Sequence, residues 1–232
     1  MSMKTIAILL LLAVTATAQD WKPLLNGKNL DGWEIRGNSQ WTLMKDGTLV
    51  GERIQKDRAN PFYHPWPVDQ KHYQAWLNRQ SWIYTVASYG EFDLHVEYWI
   101  PPGGNSGVSI RDTSRAKYAI SDEQAPAGEP SGTPAHIGYE IQIIDPDNNS
   151  YSSGSVYLFA QAKRGVHKTA DWNSLDIESR NDEIRVKLNG QLVARSAGDP
   201  SRPKVGPIGL QLHDQFTFAM FRNVRIRDLS KH

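Results

Sequence analysis

Residues 138–145 read Gly138-Tyr139-Glu140-Ile141-Gln142-Ile143-Ile144-Asp145. Side chains along a β-strand point alternately to its two faces. Here an apolar set (Tyr139, Ile141, Ile143) alternates with the polar pair Glu140 and Gln142. If the first set enters a core, a carboxyl and an amide stand side by side on the other face of the sheet. Such a pair can hold a sugar or poise a base, and it can equally be a solvated face. What other strands bring to the same face decides between the two.

The same alternation recurs in both directions from this strand. Phe92, Leu94, Val96 and Tyr98 alternate with Asp93, His95 and Glu97. Val108 and Ile110 oppose Ser109 and Arg111, and Ile208, Leu210 and Leu212 oppose Gly209, Gln211 and His213. A further strand is expected over 155–160, with Val156 and Leu158 opposed to Tyr157 and Phe159. Asp46-Gly47 and Asn189-Gly190 lie between apolar runs, and such pairs make tight hairpins because they tolerate positive φ. No long amphipathic helix follows residue 90. Many short strands with Gly, Pro and Asn turns predict an all-β sandwich of two antiparallel sheets.

With 232 residues, the chain is expected to hold one such domain over 19–232. The first 18 residues read as a secretory signal: Lys4, then an apolar run from Ile6 to Val14, then Ala16-Thr17-Ala18 as a cleavage site. The expected location is secreted or periplasmic, with no membrane span in the mature protein. There is no cysteine, which excludes disulfides, thiolate nucleophiles and thiolate metal sites. The 26 Lys and Arg nearly balance 25 Asp and Glu, so charge gives no reason to expect nucleic acid as a partner.

Two long loops are predicted. One, over 52–80, carries Phe62, Tyr63, Trp66, Tyr73 and Trp76 and reads either as a wall over a sugar site or as a plug at one end of the sandwich. The other spans 112–137.

Parity then gathers one polar face from several strands: Ser109 and Arg111, Glu140 and Gln142, Tyr157, Gln211 and His213. Glu140 and His213 are its strong acid/base candidates. Arg111 is placed either to stabilise an oxyanion or to pair with Glu140. Asp145 and Asp147 beyond the strand read as turn residues or Ca²⁺ ligands, with Pro146 and Asn148-Asn149 favouring the turn. Sandwich glycosidases with Glu-x-Asp-x-Glu put two carboxylates on one strand face. The corresponding positions here are Glu140, Gln142 and Ile144, so the second carboxylate is missing.

Leu25-Asn26-Gly27-Lys28-Asn29-Leu30-Asp31-Gly32-Trp33 resembles the opening motif of the 3-keto-disaccharide hydrolase family. Gly104-Asn105-Ser106-Gly107, Gly138 to Gln142, Trp172-Asn173, Gly209 to His213 and Phe221-Arg222-Asn223-Val224 match it too, in order, over about 24–229. The resemblance implies a concanavalin-like jelly roll acting on glycosides whose sugar is a ketone at C3. That ketone acidifies the C2 proton. Its removal gives an enolate that expels the C1 oxygen, and water then adds to the enone. This chemistry needs one base, an enolate stabiliser and a proton donor. It implies Glu140 as base, Arg111 on the oxyanion and His213 as acid, with the roles of Glu140 and His213 exchangeable. Asn105, Ser109, Gln142, Tyr157, Trp172 and Gln211 would contact the sugar. A divalent cation in place of Arg111 remains open, since no ligand cluster in the sequence specifies one. The competing readings are a carbohydrate-binding module on the same fold and an interaction domain of the cell envelope.

Overall fold

The computed structural model describes residues 20–54, 70, 77, 79–120 and 134–230. The expected signal segment and most of the 52–80 loop lie outside the described residues. Among the described residues thirteen strands run in chain order: β1 (Lys22–Pro23), β2 (Trp33–Arg36), β3 (Ser39–Leu43), β4 (Leu49–Arg53), β5 (Ser81–Thr85), β6 (Phe92–Trp99), β7 (Asn105–Ile110), β8 (Tyr139–Ile144), β9 (Asn173–Arg180), β10 (Glu183–Leu188), β11 (Gln191–Ser196), β12 (Ile208–Leu212) and β13 (Phe218–Asp228). A single-turn helix, α1 (Lys117–Ile120), and a 3₁₀ turn (Pro134–His136) interrupt them. Among the described residues no helix is long and apolar enough to cross a membrane.

The strands form two antiparallel sheets. One has eight strands, in the order β11-β10-β9-β6-β13-β4-β3, with β1 paired onto β13; the other has five, in the order β2-β5-β12-β7-β8. Between them lies the main core. Leu94, Val96, Leu175, Ile177 and Phe221 of the larger sheet meet Val108, Ile110, Tyr139, Ile141, Ile143, Leu210 and Leu212 of the smaller, all fully buried. Burying each such side chain contributes about 2 kcal/mol, so apolar parity decides which face of each strand turns inward. The Asn189-Gly190 hairpin forms as predicted, with φ of 50° and 77°. In the Asp46-Gly47 turn only Gly47 takes positive φ, and its N–H donates to the Met44 carbonyl.

Three strand readings change. Residues 155–160 are not a strand: Leu158 has a φ of 69°, and Val156 and Ala160 exchange backbone hydrogen bonds across a tight loop. Strand β5, between β2 and β12 in the five-stranded sheet, shows no period-two signal because both its faces are buried. Finally, β7 ends at Ile110, and Arg111 with a φ of 60° leaves the extended conformation. Gly138 and Gly206 accommodate that bend. A Cβ on Gly138 would lie 2.4 Å from the Ile110 carbonyl oxygen, and one on Gly206 would lie 2.7 Å from Arg111 backbone atoms.

Candidate functional site

The outer face of the five-stranded sheet carries the candidate site. Register aligns Tyr84, Gly209, Ser109 and Glu140 in one row across β5, β12, β7 and β8. Next to it, Trp82 pairs with Gln211 and Gly107 pairs with Gln142. The two glycines matter because of what lies over them. A Cβ on Gly209 would sit 2.4 Å from the Tyr84 ring, and one on Gly107 would sit 2.8 Å from Glu140 Oε1. Tyr84 and Glu140 therefore lie flat along the sheet.

Glu140 is 3% exposed. Burial pushes its carboxyl up to about 8; the Asp112 charge adds to this and an interaction with Gln211 opposes it. Around Glu140 the polar set is ordered. The Gln142 amide donates to Asn105 Oδ1 at 2.9 Å. The Tyr157 backbone N–H donates to the Glu140 carbonyl at 2.8 Å, and its ring packs edge-on against Tyr151. Tyr157 thus borders Glu140 although its segment is a loop, because that loop docks on the edge of β8. Burial, then the Glu140 charge, pushes the Tyr157 hydroxyl up. Ser109 is fully buried, and its hydroxyl has no hydrogen-bond partner.

One side of the face is closed. Trp82 and Tyr84 stack with centroids 5.7 Å apart, under Ala116, Ala119 and Ile120. The Tyr84 hydroxyl donates to Asp112 Oδ2 at 2.8 Å, and that oxygen also takes the Ala116 N–H. Asp112 Oδ1 takes the Ser114 N–H and hydroxyl. This fully buried carboxyl thus accepts four hydrogen bonds.

His213 shares the face but not the row. It lies one residue beyond β12, a third exposed, with Nδ1 3.5 Å from Asp214 Oδ2. It lines a cleft of about 460 Å³ with Pro101, Gly104, Phe216 and Thr217. Gly209 of the Glu140 row precedes it by four residues, about 13 Å along the strand. A ligand bridging the two must cross Gln211.

Two expected site residues lie elsewhere. The Arg111 guanidinium is 1% exposed and donates to the carbonyls of Asn181 at 2.7 Å and Gly90 at 2.9 Å, tying the smaller sheet to the larger. Its positive φ is the reason parity misplaced it. Trp172 belongs to the outside of the larger sheet, with the Arg222 guanidinium 4.0 Å above its ring and Glu97 nearby.

The family model of the 3-keto-alpha-glucoside-1,2-lyase-like domain matches residues 20–227. The chain belongs to this family. The fold of this lyase-like domain is shared by a Parabacteroides distasonis protein provisionally named a glycosyl hydrolase, at 24% identity and a TM-score of 0.62 over 90% of this chain and 100% of that one. It is also shared by the carbohydrate-binding module CBM66 of Bacillus subtilis (19%, TM-score 0.54, 85% and 96%) and a Bacillus licheniformis β-glucanase (12%, TM-score 0.51, 93% and 100%). These likenesses establish the concanavalin-like jelly roll. A search among curated proteins finds no significant match.

Within the lyase-like domain, Asp145 is a clamp. It accepts from the Gly103 N–H at 2.9 Å and from the Thr169 hydroxyl, with His167 Nε2 3.5 Å away. His167 in turn reaches the Tyr98 hydroxyl at 3.0 Å. Asp147 Oδ2 accepts from the Gly165 N–H. Both aspartates lie in the bend and turn that follow β8. Among the described residues no three His, Asp or Glu side chains converge on one point. Sequence reasoning missed Trp82, Tyr84 and Asp112; the Asp112-Thr113-Ser114 turn pattern was the available signal for the last.

Two expected outcomes follow from these positions. Trp172→Ala should leave turnover within about twofold, since Trp172 is across the sandwich from Glu140. Gly107→Ala should lower turnover about 10–100-fold with the fold retained, because its methyl displaces the Glu140 carboxyl; thermal melting alongside steady-state kinetics checks both.

Proposed function

We propose that this domain cleaves glycosides whose sugar bears a ketone at C3, by β-elimination across C2 and C1 followed by hydration. Its export after cleavage behind Ala18 is part of the same proposal. The observation that carries the reading is one buried carboxyl, Glu140, which burial pushes up to about 8, on a face of amides and hydroxyls. Two nearby carboxylates are committed elsewhere: Asp112, just beyond β7, to four donors, and Glu34, opposite Tyr84 on β2, to Arg36 at 2.9 Å. Direct glycoside hydrolysis uses two free carboxyls, whereas elimination from a 3-keto sugar needs only proton transfers at C2 and O1.

In this reading the C2–H bond breaks and its electrons form the enolate. The C1–O bond then breaks as the leaving oxygen takes a proton, and water adds across the enone. Glu140 and His213 divide the proton transfers, while Asn105, Gln142 and Tyr157 orient the sugar. With Arg111 remote, the enolate oxygen needs another stabiliser, and the Tyr157 hydroxyl or a divalent cation would serve.

The test is aglycone release from a chromogenic glucoside and from its 3-keto derivative, each with and without chelator. Turnover of the keto compound alone is expected. Loss on chelation would assign the stabiliser to a metal. Turnover of the plain glucoside would overturn the elimination reading, and saturable sugar binding without turnover would make the domain a binding module.

A further inference from the structure

The cleft beside His213 differs in chemistry from the amide-rich face around Glu140. Its apolar side chains are Leu77, Pro101, Pro102 and Phe216, and the Phe216 residue is 62% exposed. Two of its polar side chains are engaged within the protein. Asp214 Oδ1 accepts the Phe216 N–H at 2.8 Å, and Oδ2 stands 3.5 Å from His213 Nδ1. The Thr217 hydroxyl accepts the Asp214 N–H at 3.2 Å and donates to the Asn105 carbonyl at 3.3 Å. What the cleft offers a ligand is therefore apolar surface and one imidazole.

Hydrogen bonds fix both sides of it. On the Phe216 side, the Gln215 N–H donates to the Leu77 carbonyl at 3.2 Å, and Arg53 Nη1 donates to the Asp214 carbonyl at 3.4 Å. On the Pro101 side, the Gly104 N–H closes the turn onto the Pro101 carbonyl at 2.8 Å. Asp145 then holds that turn twice. Its carboxylate takes the Gly103 N–H at 2.9 Å, and its own N–H donates to the Gly104 carbonyl at 2.9 Å.

The cleft also lies in line with Glu140. A Cβ on Gly107 would meet Glu140 Oε1 at 2.8 Å, so the carboxyl stands over that glycine. Gly104, which lines the cleft, precedes Gly107 by three residues, about 10 Å of extended chain. Asn105 lies between them on the same face as Gly107, being two residues away, and its side chain takes the Gln142 amide. A single sugar ring over Asn105 and Gln142 thus leads from the Glu140 carboxyl to the mouth of the cleft.

We propose that this cleft is the leaving-group subsite, that it takes an aromatic aglycone, and that Phe216 sets the preference. The proposal rests on the reading that the domain cleaves 3-keto-glycosides. A sugar leaving group would bring several hydroxyls to a wall whose Asp214 and Thr217 side chains are already engaged. An aryl ring needs preformed apolar faces, which two prolines and a phenyl ring on hydrogen-bonded turns supply.

The experiment measures kcat/KM on the full-length protein for the 3-keto derivatives of 4-nitrophenyl glucoside, methyl glucoside and a glucose disaccharide. In Phe216→Ala the aryl-over-methyl ratio should fall about tenfold, through KM more than kcat. A ratio taken on one sample does not depend on the fraction that folds, so a merely structural role for Phe216 would leave it unchanged. An unchanged ratio would overturn the proposal, as would a disaccharide-over-methyl ratio that falls as far as the aryl one. Calorimetry with unoxidised 4-nitrophenyl and methyl glucosides repeats the comparison without turnover. There the wild type should hold the aryl compound about tenfold tighter than Phe216→Ala does, and equal affinities would again count against the subsite. Absence of turnover with that binding difference intact would fail the cleavage reading alone.

Discussion

Glu140→Gln is expected to lower turnover of a 3-keto-glucoside by about a thousandfold and, in the same molecule, to raise stability above neutral pH. The first effect follows from removing the proposed proton-transfer group while keeping its shape; such groups contribute about 10²–10⁴-fold. The second follows from linkage. The Glu140 carboxyl titrates at about 8 in the fold, against 4.5 for the free group. Between these values the native state holds a proton that the unfolded chain has lost, so wild-type stability falls as pH rises through that window. The glutamine variant has nothing to ionise. Its advantage over the wild type should therefore grow from nothing near pH 4.5 by roughly 1.4 kcal/mol per pH unit and level off above about 8. Melting curves from about pH 5 to pH 9 measure the gap, and single-turnover kinetics measure the loss. Parallel melting curves for the two proteins would mean that Glu140 is an ordinary carboxylate. Full turnover by the variant would remove it from the chemistry.

Which parts of this site were legible in the sequence depends on what each strand face touches. Tyr139, Ile141 and Ile143 were readable as core because Glu140 and Gln142 on the opposite face are polar, and the same contrast exposed Leu210 against Gln211. The contrast fails where both faces are dry. In β5, Ile83 enters the main core while Trp82 and Tyr84 are covered from outside by Ala116 and Ile120, so the strand carries no period and its aromatic wall went unread. Parity also assumes an unbroken extended backbone. At Leu158 and Arg111 a positive φ resets it, and a sequence does not announce such a residue when it is not glycine. Tyr157 reached the site all the same, through its backbone hydrogen bond to Glu140 rather than through the strand expected for it.

Arg111 gives the sharpest contrast between the two kinds of reading, and Arg111→Met is the second large effect expected. As a catalytic cation its loss would cost 10²–10³ in turnover at unchanged stability. In the structure it instead acts as a strut. Its guanidinium caps the Asn181 carbonyl between β9 and β10 and the Gly90 carbonyl before β6, two groups of the larger sheet reached from the end of β7 in the smaller. Burial pulls its pKa down, while Tyr139, Asp182 and Glu91 favour its charge. Removing it leaves the Gly90 oxygen with only the Ser179 hydroxyl at 3.4 Å and strips the Asn181 oxygen of its charged donor. Each buried carbonyl left short costs about 1–3 kcal/mol, so about 3 kcal/mol is expected for the pair, or roughly 10 °C in melting temperature for a chain of this size. Methionine fills most of the volume without supplying donors, which isolates the hydrogen bonds from the cavity. Below its melting transition the variant should turn over 3-keto-glucoside within about threefold of wild type, because the strut is directed away from Glu140. A stable variant with turnover reduced a hundredfold would return Arg111 to the oxyanion.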